Sequence, residues 1–163
     1  MNGLTSELFQ AVEKAERYED KVRILKTNDY PIVRALFTLN YNPDFKMLLP
    51  EGTPPYRKDV DKPIGYNETT LQLELKRFYI WMDPNVNINK IKKETLFIEM
   101  LEGLHYSEAE IICSAKDRVL TDLYPSLTEE LVRDAYPGIF PFPPTPKKET
   151  APAKKSRSKK PLN

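Results

Sequence analysis

The sequence predicts an all-α protein: a single small domain of about six or seven short helices, with a long Pro-rich loop and a disordered basic C-terminal tail. Apolar residues in the first 140 positions recur every three or four residues, as in helices packed on one face, without the alternation of a strand. Five prolines between residues 41 and 67 exclude one long helix or a central strand there. The last 23 residues hold 6 of the 15 prolines and few apolar side chains.

The chain has 163 residues, which is typical of one domain. We assign residues 1–140 to the helical domain and residues 141–163 to the disordered Pro/Lys-rich basic tail. Such a tail cannot bury enough apolar surface to offset its chain entropy.

Three helices are predicted in the first 40 residues. Thr5 can cap the first helix, and residues 18–26 form the second. Pro31 suits the first turn of a third helix, which ends near Asn40.

Helical periodicity resumes at Thr69 and continues to Met82. Residues 88–104 are the most apolar predicted helix, and we expect the central core helix here, with Ile91 among the residues to be buried. The spacing of Ser107 and Glu110 predicts a capping box, and Thr128 is a predicted N-cap of a last helix that ends after Tyr136.

The long loop contains the run LLPEGTPPY, which suggests a protein-binding surface at Pro54, Pro55 and Tyr56. The alternative is that the loop's apolar residues pack into the core and pin the loop there. Those residues are Phe45, Met47, Leu48, Leu49 and Tyr56.

The charge is divided between the body and the tail. The whole chain has a formal net charge of +1, but residues 1–146 hold 18 basic and 23 acidic residues. The tail carries seven basic residues against Glu149. We predict weak nucleic-acid binding by this basic set: Lys147, Lys148, Lys154, Lys155, Arg157, Lys159 and Lys160. Alternatively the tail is solubilising and folds back on the acidic body, or it meets an acidic protein or an anionic membrane.

The composition disfavours catalysis and metal binding. His105 is the sole histidine and is expected to pack or to bond a helix end, while Cys113, the sole cysteine, is expected to be buried and inert. Carboxylate pairs such as Glu99 and Glu102 are expected on solvated faces. The five glycines form no phosphate-binding loop. We therefore predict no catalytic residue, no metal site, no cofactor and no small-molecule substrate.

Two further expectations concern packing and location. Phe78 and Trp81 are three residues apart, which favours a core stripe over a nucleic-acid-stacking surface. No run approaches the ~18 apolar residues of a membrane span, so we expect a soluble cytoplasmic protein without membrane contact.

Five blocks of the sequence resemble successive blocks of an uncharacterised protein family of large contractile-tailed bacteriophages. The blocks are KVRILKTNDYPIVR, LLPEGTPPY, TLQLELKRFYIW, LFIEMLEGLHYSEAEIICSAKD and LTEELVRDAYPG, between Lys21 and Gly138. LLPEGTPPY and the block from LFIEMLEGLH to AKD are the specific ones. The chain departs from the family at Tyr136, where Phe is frequent, and after His105, where a Pro-containing pair is usual. The resemblance implies a phage origin and supplies no catalytic residue.

We therefore expect a non-enzymatic phage accessory protein that binds a host or viral protein in the host cytoplasm. The alternative is a virion or assembly component with a solubilising tail, and an enzyme of unknown type is the third reading.

Overall fold

The computed structural model describes residues 3–140, and the basic tail lies outside the described residues. Within residues 3–140 there are nine α-helices and two 3-10 turns, and no strand, which confirms the predicted all-α class. The α-helices are α1 (Thr5–Lys14), α2 (Tyr18–Thr27), α3 (Pro31–Tyr41), α4 (Leu71–Glu74), α5 (Tyr79–Met82), α6 (Lys90–Gly103), α7 (Tyr106–Lys116), α8 (Leu120–Leu123) and α9 (Glu129–Ala135). The 3-10 turns are Leu75–Arg77 and Pro137–Ile139.

The helix count exceeds the predicted six or seven because several helices are single turns. The helix predicted from Thr69 to Met82 is divided into α4, a 3-10 turn and α5. No helix among the described residues has the length and apolar content needed to cross a membrane.

An aromatic cluster joins the N-terminal helices to the C-terminal part of the body. The ring of Phe9 stacks on Phe37 at 5.4 Å and meets Tyr124 edge-on at 5.4 Å, and Phe37 contacts Tyr136 at 5.9 Å. The Tyr136 hydroxyl donates to the carbonyl oxygens of Leu25 and Asn28 at the end of α2. These contacts close the bundle around one core.

The expectation that residues 88–104 form the central helix is wrong. α6 buries Phe97, Met100 and Leu101, but Ile91 is 78% exposed. α7 is buried more completely, because most of its length packs against α3, α6 and α8. Part of the apolar surface of α6 is therefore exposed to solvent and does not contribute to the core.

The Ser107–Glu110 capping box is also wrong. His105 is the N-cap of α7, and its Nδ1 accepts from the Ser107 N–H at 3.2 Å. Glu110 instead pairs with Lys58 at 2.7 Å. The predicted cap at Thr5 fails as well, since Leu4 is the N-cap residue of α1.

Other boundaries agree with the sequence to within one residue. Pro31 is the first residue of α3. The Thr128 side chain accepts from the Leu131 N–H at 3.2 Å, and α9 ends immediately before Tyr136.

One buried carboxylate joins the starts of two helices. Glu108 is 1% exposed, and its two oxygens accept from the N–H groups of Thr5 at 2.9 Å and Leu71 at 3.0 Å. The N-termini of α1 and α4 are therefore held by a side chain in the first turn of α7. A negative charge on this side chain also interacts favourably with the dipoles of the helices whose N-termini it holds. Burial raises the pKa of Glu108, while the two backbone hydrogen bonds lower it.

Candidate functional site

The proposed binding residues lie in the segment 42–70, which connects α3 to α4 without a helix or strand. Pro55 is exposed, whereas Pro54 and Tyr56 are half-buried. Burial raises the pKa of the Tyr56 hydroxyl above its usual range. The tip of this loop therefore presents proline rings to solvent while Tyr56 packs against the body.

A buried lysine attaches the loop to the end of α7. The side chain of Lys116, at the end of α7, is 2% exposed. Its Nζ donates to the carbonyl oxygens of Pro50 at 2.9 Å and Gly52 at 3.0 Å, and it pairs with Asp117 Oδ1 at 2.7 Å. All three ammonium hydrogens thus have an acceptor, as burial of a charge requires.

Asp117 completes this attachment. Its second oxygen accepts from the Gly52 N–H at 3.1 Å, so both polar backbone groups of Gly52 bond to side chains at the C-terminal end of α7. The two blocks that carry the most specific sequence resemblance, LLPEGTPPY and the block ending in AKD, are therefore direct neighbours in the structure. No local pattern of residues indicates this contact, because lysines are rarely buried.

Arg118 holds the beginning of the same segment. It has a φ of 62°, a left-handed conformation that is unfavourable for a residue with a Cβ. Its guanidinium donates to the carbonyl oxygens of Asn42 at 3.1 Å and Phe45 at 2.5 Å. The anchor residues Lys116, Asp117 and Arg118 together fix the backbone at residues 42, 45, 50 and 52.

Clefts lie on both sides of the loop tip. One cleft of about 300 Å³ separates the loop from α6, and its apolar wall includes Pro54, Phe97 and Ile98. The other, of about 410 Å³, lies between the loop and the α7–α8 region, beside Tyr56 and Ser114. Thr53, Pro54 and Pro55 line both clefts, so the loop tip forms a ridge.

The charges around the ridge are unevenly compensated. Lys58 pairs with Glu110 beside the second cleft, and its Nζ lies 5.7 Å from the centre of the Tyr106 ring. The first cleft is lined by Glu51 and Glu94, while the charge of Lys116 is compensated by Asp117. The first cleft is therefore apolar inside and acidic at its rim.

The expectation that the loop's apolar residues all pack into the core holds only in part. Met47 is 1% exposed, and Leu49 and Tyr56 pack against the core. Phe45 and Leu48 are 46% and 42% exposed, so the prediction is wrong for these two.

Phe45 and Leu48 belong to a second surface that sequence analysis missed. With Tyr79 and Met82 they line a depression of about 370 Å³, which the charged residues Asp44, Lys46 and Asp83 also line. Tyr79 is 58% exposed, whereas its neighbours Phe78 and Trp81 are buried, which confirms the predicted core stripe. We call the four apolar side chains the aromatic patch.

The sole histidine takes the packing and helix-end role that was predicted. Its Nδ1 lies 2.7 Å from Ser107 Oγ, which in turn lies 2.8 Å from Ser6 Oγ. This chain of hydrogen bonds links the first turns of α1 and α7. The polar groups around His105 are therefore occupied in joining helix starts.

Cys113 is 3% exposed, and burial raises the pKa of its thiol to about 11, as expected of an inert side chain. Glu102 accepts from the Arg57 N–H at 2.7 Å, so this carboxylate holds the loop and is not merely solvated. Among residues 3–140 no three metal-ligating side chains form a group that could hold an ion. The seven basic tail residues lie outside the described part of the chain.

Comparison with known proteins places the chain in a family. No curated protein and no solved structure matches it. A family model described as a family of unknown function (DUF6433) matches residues 8–122, which include the ridge, the aromatic patch and the anchor residues. This match covers more than half of the chain and confirms the predicted membership of an uncharacterised family: the protein belongs to this family of unknown function.

Proposed function

We propose that the protein is a non-enzymatic binding protein whose helical body binds another protein at the ridge of Pro54, Pro55 and Tyr56. The observation that carries this proposal is the attachment of an irregular, proline-containing loop to α7 through the buried Lys116. A loop held in one conformation loses little entropy when a partner binds. A hydrophobic core can form beside Pro50 and Gly52 without a buried ammonium group. The bonds from Lys116 therefore favour a role in holding the ridge in position for a partner.

The chemistry of the ridge suits a polypeptide partner. Proline rings and the wall of Phe97 and Ile98 supply apolar contact area, and exposed backbone and carboxylates supply a polar rim. The clefts on both sides can receive side chains from a partner that straddles the ridge.

The environment of the titratable residues supports a non-enzymatic role. Catalytic acids and bases face a cleft with perturbed pKa values. Here Glu108 bonds two helix starts, His105 caps α7, and the Cys113 thiol is buried away from the surface. Each of these groups has a structural task.

The proposal extends to the tail and the setting. Residues 3–140 carry a net charge of −5, whereas the tail carries seven basic residues against one acidic residue. We assign the tail weak, sequence-independent attachment to nucleic acid through phosphates. The sequence resemblance supports a phage accessory protein that acts in the host cytoplasm on a host or viral protein.

Site-specific photo-cross-linking tests the ridge. A photoreactive amino acid replaces Pro55 in the full chain, and a matched chain carries it at Ile91, which is exposed on α6 outside the ridge. In infected cells we expect a discrete cross-linked product from position 55 and none from position 91. Binding of the identified partner, remeasured with purified components, should weaken at least about tenfold in the double variant Pro54→Ser, Pro55→Ser.

Three outcomes oppose this proposal. The same product from both positions, or unchanged affinity of the double variant, would remove the ridge as the binding surface. A product with a particle protein, present at fixed copy number in purified particles, would favour the virion or assembly role.

A salt titration tests the tail. Duplex DNA is titrated with the full chain and with a chain that ends at Pro146. Seven phosphate contacts give a log–log slope of up to about six, and the shortened chain should lose binding. Equal binding by both chains, or none at low salt, would contradict nucleic-acid attachment by the tail.

A further inference from the structure

We propose that the aromatic patch is the docking surface for the start of the chain's own C-terminal segment, residues 141–148. This intramolecular contact is distinct from the ridge, and it leaves Lys154, Lys155, Arg157, Lys159 and Lys160 for nucleic acid. It therefore does not depend on the proposed function.

The patch is exposed because its backbone is fixed from both sides. Arg118 holds the Phe45 carbonyl, and the Leu48 N–H donates to the Trp81 carbonyl at 2.6 Å. Met47, between them, is 1% exposed. Met47 is buried in the core, and the Phe45 carbonyl and the Leu48 N–H are both hydrogen-bonded. The side chains of Phe45 and Leu48 therefore cannot both point into the core.

An exposed group of three large apolar side chains is unfavourable in water and is typical of a contact surface. Phe45, Leu48 and Tyr79 surround one depression of about 370 Å³, where Met82 forms part of the wall. Arg118 adopts its left-handed conformation while holding Phe45, so backbone strain accompanies the exposure of this surface. The free energy gained when a partner covers the patch would offset both the exposure of these apolar side chains and the backbone strain at Arg118.

The described chain ends beside this surface. The Ile139 carbonyl accepts from Asn42 Nδ2 at 3.3 Å, and Arg118 connects the Asn42 carbonyl to that of Phe45. Phe140 is 8% exposed and lies 6.0 Å from the Tyr41 ring. The eight residues that follow span about 25 Å when extended, which is enough to cross the patch.

The sequence of the segment suits the surface chemically. PFPPTPKK offers four proline rings and Phe142 for contact with Phe45 and Tyr79. Proline fixes its own φ, so an extended segment of this kind loses little entropy when it docks on aromatic side chains. The charged residues that line the depression are Asp44, Lys46 and Asp83, with a net charge of −1, which Lys147 and Lys148 complement.

Paramagnetic NMR on the full chain tests the contact. A nitroxide is attached to the variant Thr145→Cys; Cys113 is buried with a thiol pKa of about 11, so the new thiol reacts selectively. We expect loss of amide signal at Leu48, Tyr79 and Met82, relative to the same sample with the nitroxide reduced.

Two variants provide the matched comparison. Tyr79→Ser, added to the labelled chain, should restore the Leu48 signal because it removes an aromatic wall of the docking surface. Leu73→Ser removes an apolar side chain that is 59% exposed outside the depression, and it should leave the signal loss unchanged. Replacement of both Lys147 and Lys148 by Ala should reduce the loss.

Other results overturn the proposal. Uniform weak signal loss would mean that the segment does not dock. Loss centred on Thr53 would place it on the ridge, and loss centred on Glu129 and Glu130 would place it on α9. Signal loss at the same amides in an isotope-labelled chain that carries no nitroxide, when it is mixed with the nitroxide-labelled chain, would show docking between two copies.

Discussion

The two parts of the connection between α3 and α4 are held in different ways. Residues 42–58 bond to side chains that are distant in the sequence, chiefly Lys116 at the end of α7 and Asp117 and Arg118 just after it. Residues 59–68 contain a turn closed by the Tyr66 N–H and the Pro63 carbonyl, and they expose Val60, Ile64 and Tyr66. Both parts are irregular and contain proline and glycine, so composition does not decide which part is fixed; the difference arises from partners elsewhere in the chain.

The largest effect is expected when the anchor under residues 42–58 is removed. Lys116→Met keeps the aliphatic volume but leaves the Pro50 and Gly52 carbonyls and Asp117 without their ammonium partner. Breaking a buried charged cluster costs several kcal/mol, and we expect a loss of about 3 kcal/mol in the free energy of unfolding. Urea unfolding measures the loss.

Lys58→Met is the matched control for this change. The Lys58 side chain is 40% exposed in its pair with Glu110, so its replacement should cost less than about 1 kcal/mol. Hydrogen exchange should accelerate at Gly52 in Lys116→Met while Tyr66 stays unchanged. Equal losses in the two variants would show that the buried anchor has no special role.

The second effect concerns the far end of the connection, where Glu108 holds the start of α4. In Glu108→Gln one carboxylate oxygen becomes an NH₂ group, which cannot accept a hydrogen bond. One of the two N–H groups, that of Thr5 or that of Leu71, therefore loses its acceptor. An unpaired buried donor costs about 1–3 kcal/mol, and we expect a loss of about 2 kcal/mol in urea unfolding.

Glu108→Gln also serves as the reference for the pH dependence of the free energy of unfolding, because glutamine does not titrate. Folding raises the pKa of Glu108 above its ordinary value of 4.5, because burial disfavours the charged form. The folded state therefore binds this proton more tightly, and the stability that Glu108 contributes falls as the pH rises from 4.5 through the folded-state pKa. The stability of the wild type relative to Glu108→Gln should be greater at pH 5 than at pH 8, and the reverse order would contradict the assigned shift.

A smaller effect is expected at Arg118, where lost hydrogen bonds are partly offset by relief of backbone strain. Arg118→Gly removes the bonds to Asn42 and Phe45 but favours the left-handed conformation, so we expect a net loss of about 1 kcal/mol. Arg118→Ala loses the same bonds and keeps the strain, so it should be less stable than the glycine variant by about 1 kcal/mol. Equal thermal unfolding midpoints for the two variants would mean that the strain is not significant.

These variants also mark the limit of sequence-based prediction. The starts of α3 and α9 were predictable because Pro31 and Thr128 act within their own first turn. The exposure of Phe45 was not, since Arg118 lies 73 positions away and no local pattern links them. The caps at Thr5 and Ser107 were predicted wrongly because the buried carboxylate of Glu108 and the ring of His105 took those tasks.

The smallest effect compares one substitution in the two parts of the connection. Tyr66 is 75% exposed, so Tyr66→Ser should change the free energy of unfolding by no more than about 0.5 kcal/mol. Tyr56 packs against the core, and Tyr56→Ser should cost about 1–2 kcal/mol for the apolar contact that it loses. The ratio matters more than either value, because both variants remove the same atoms from irregular backbone. If Tyr66→Ser proves as costly as Tyr56→Ser, residues 59–68 are packed as firmly as residues 42–58, and the distinction between an anchored and a locally held part fails.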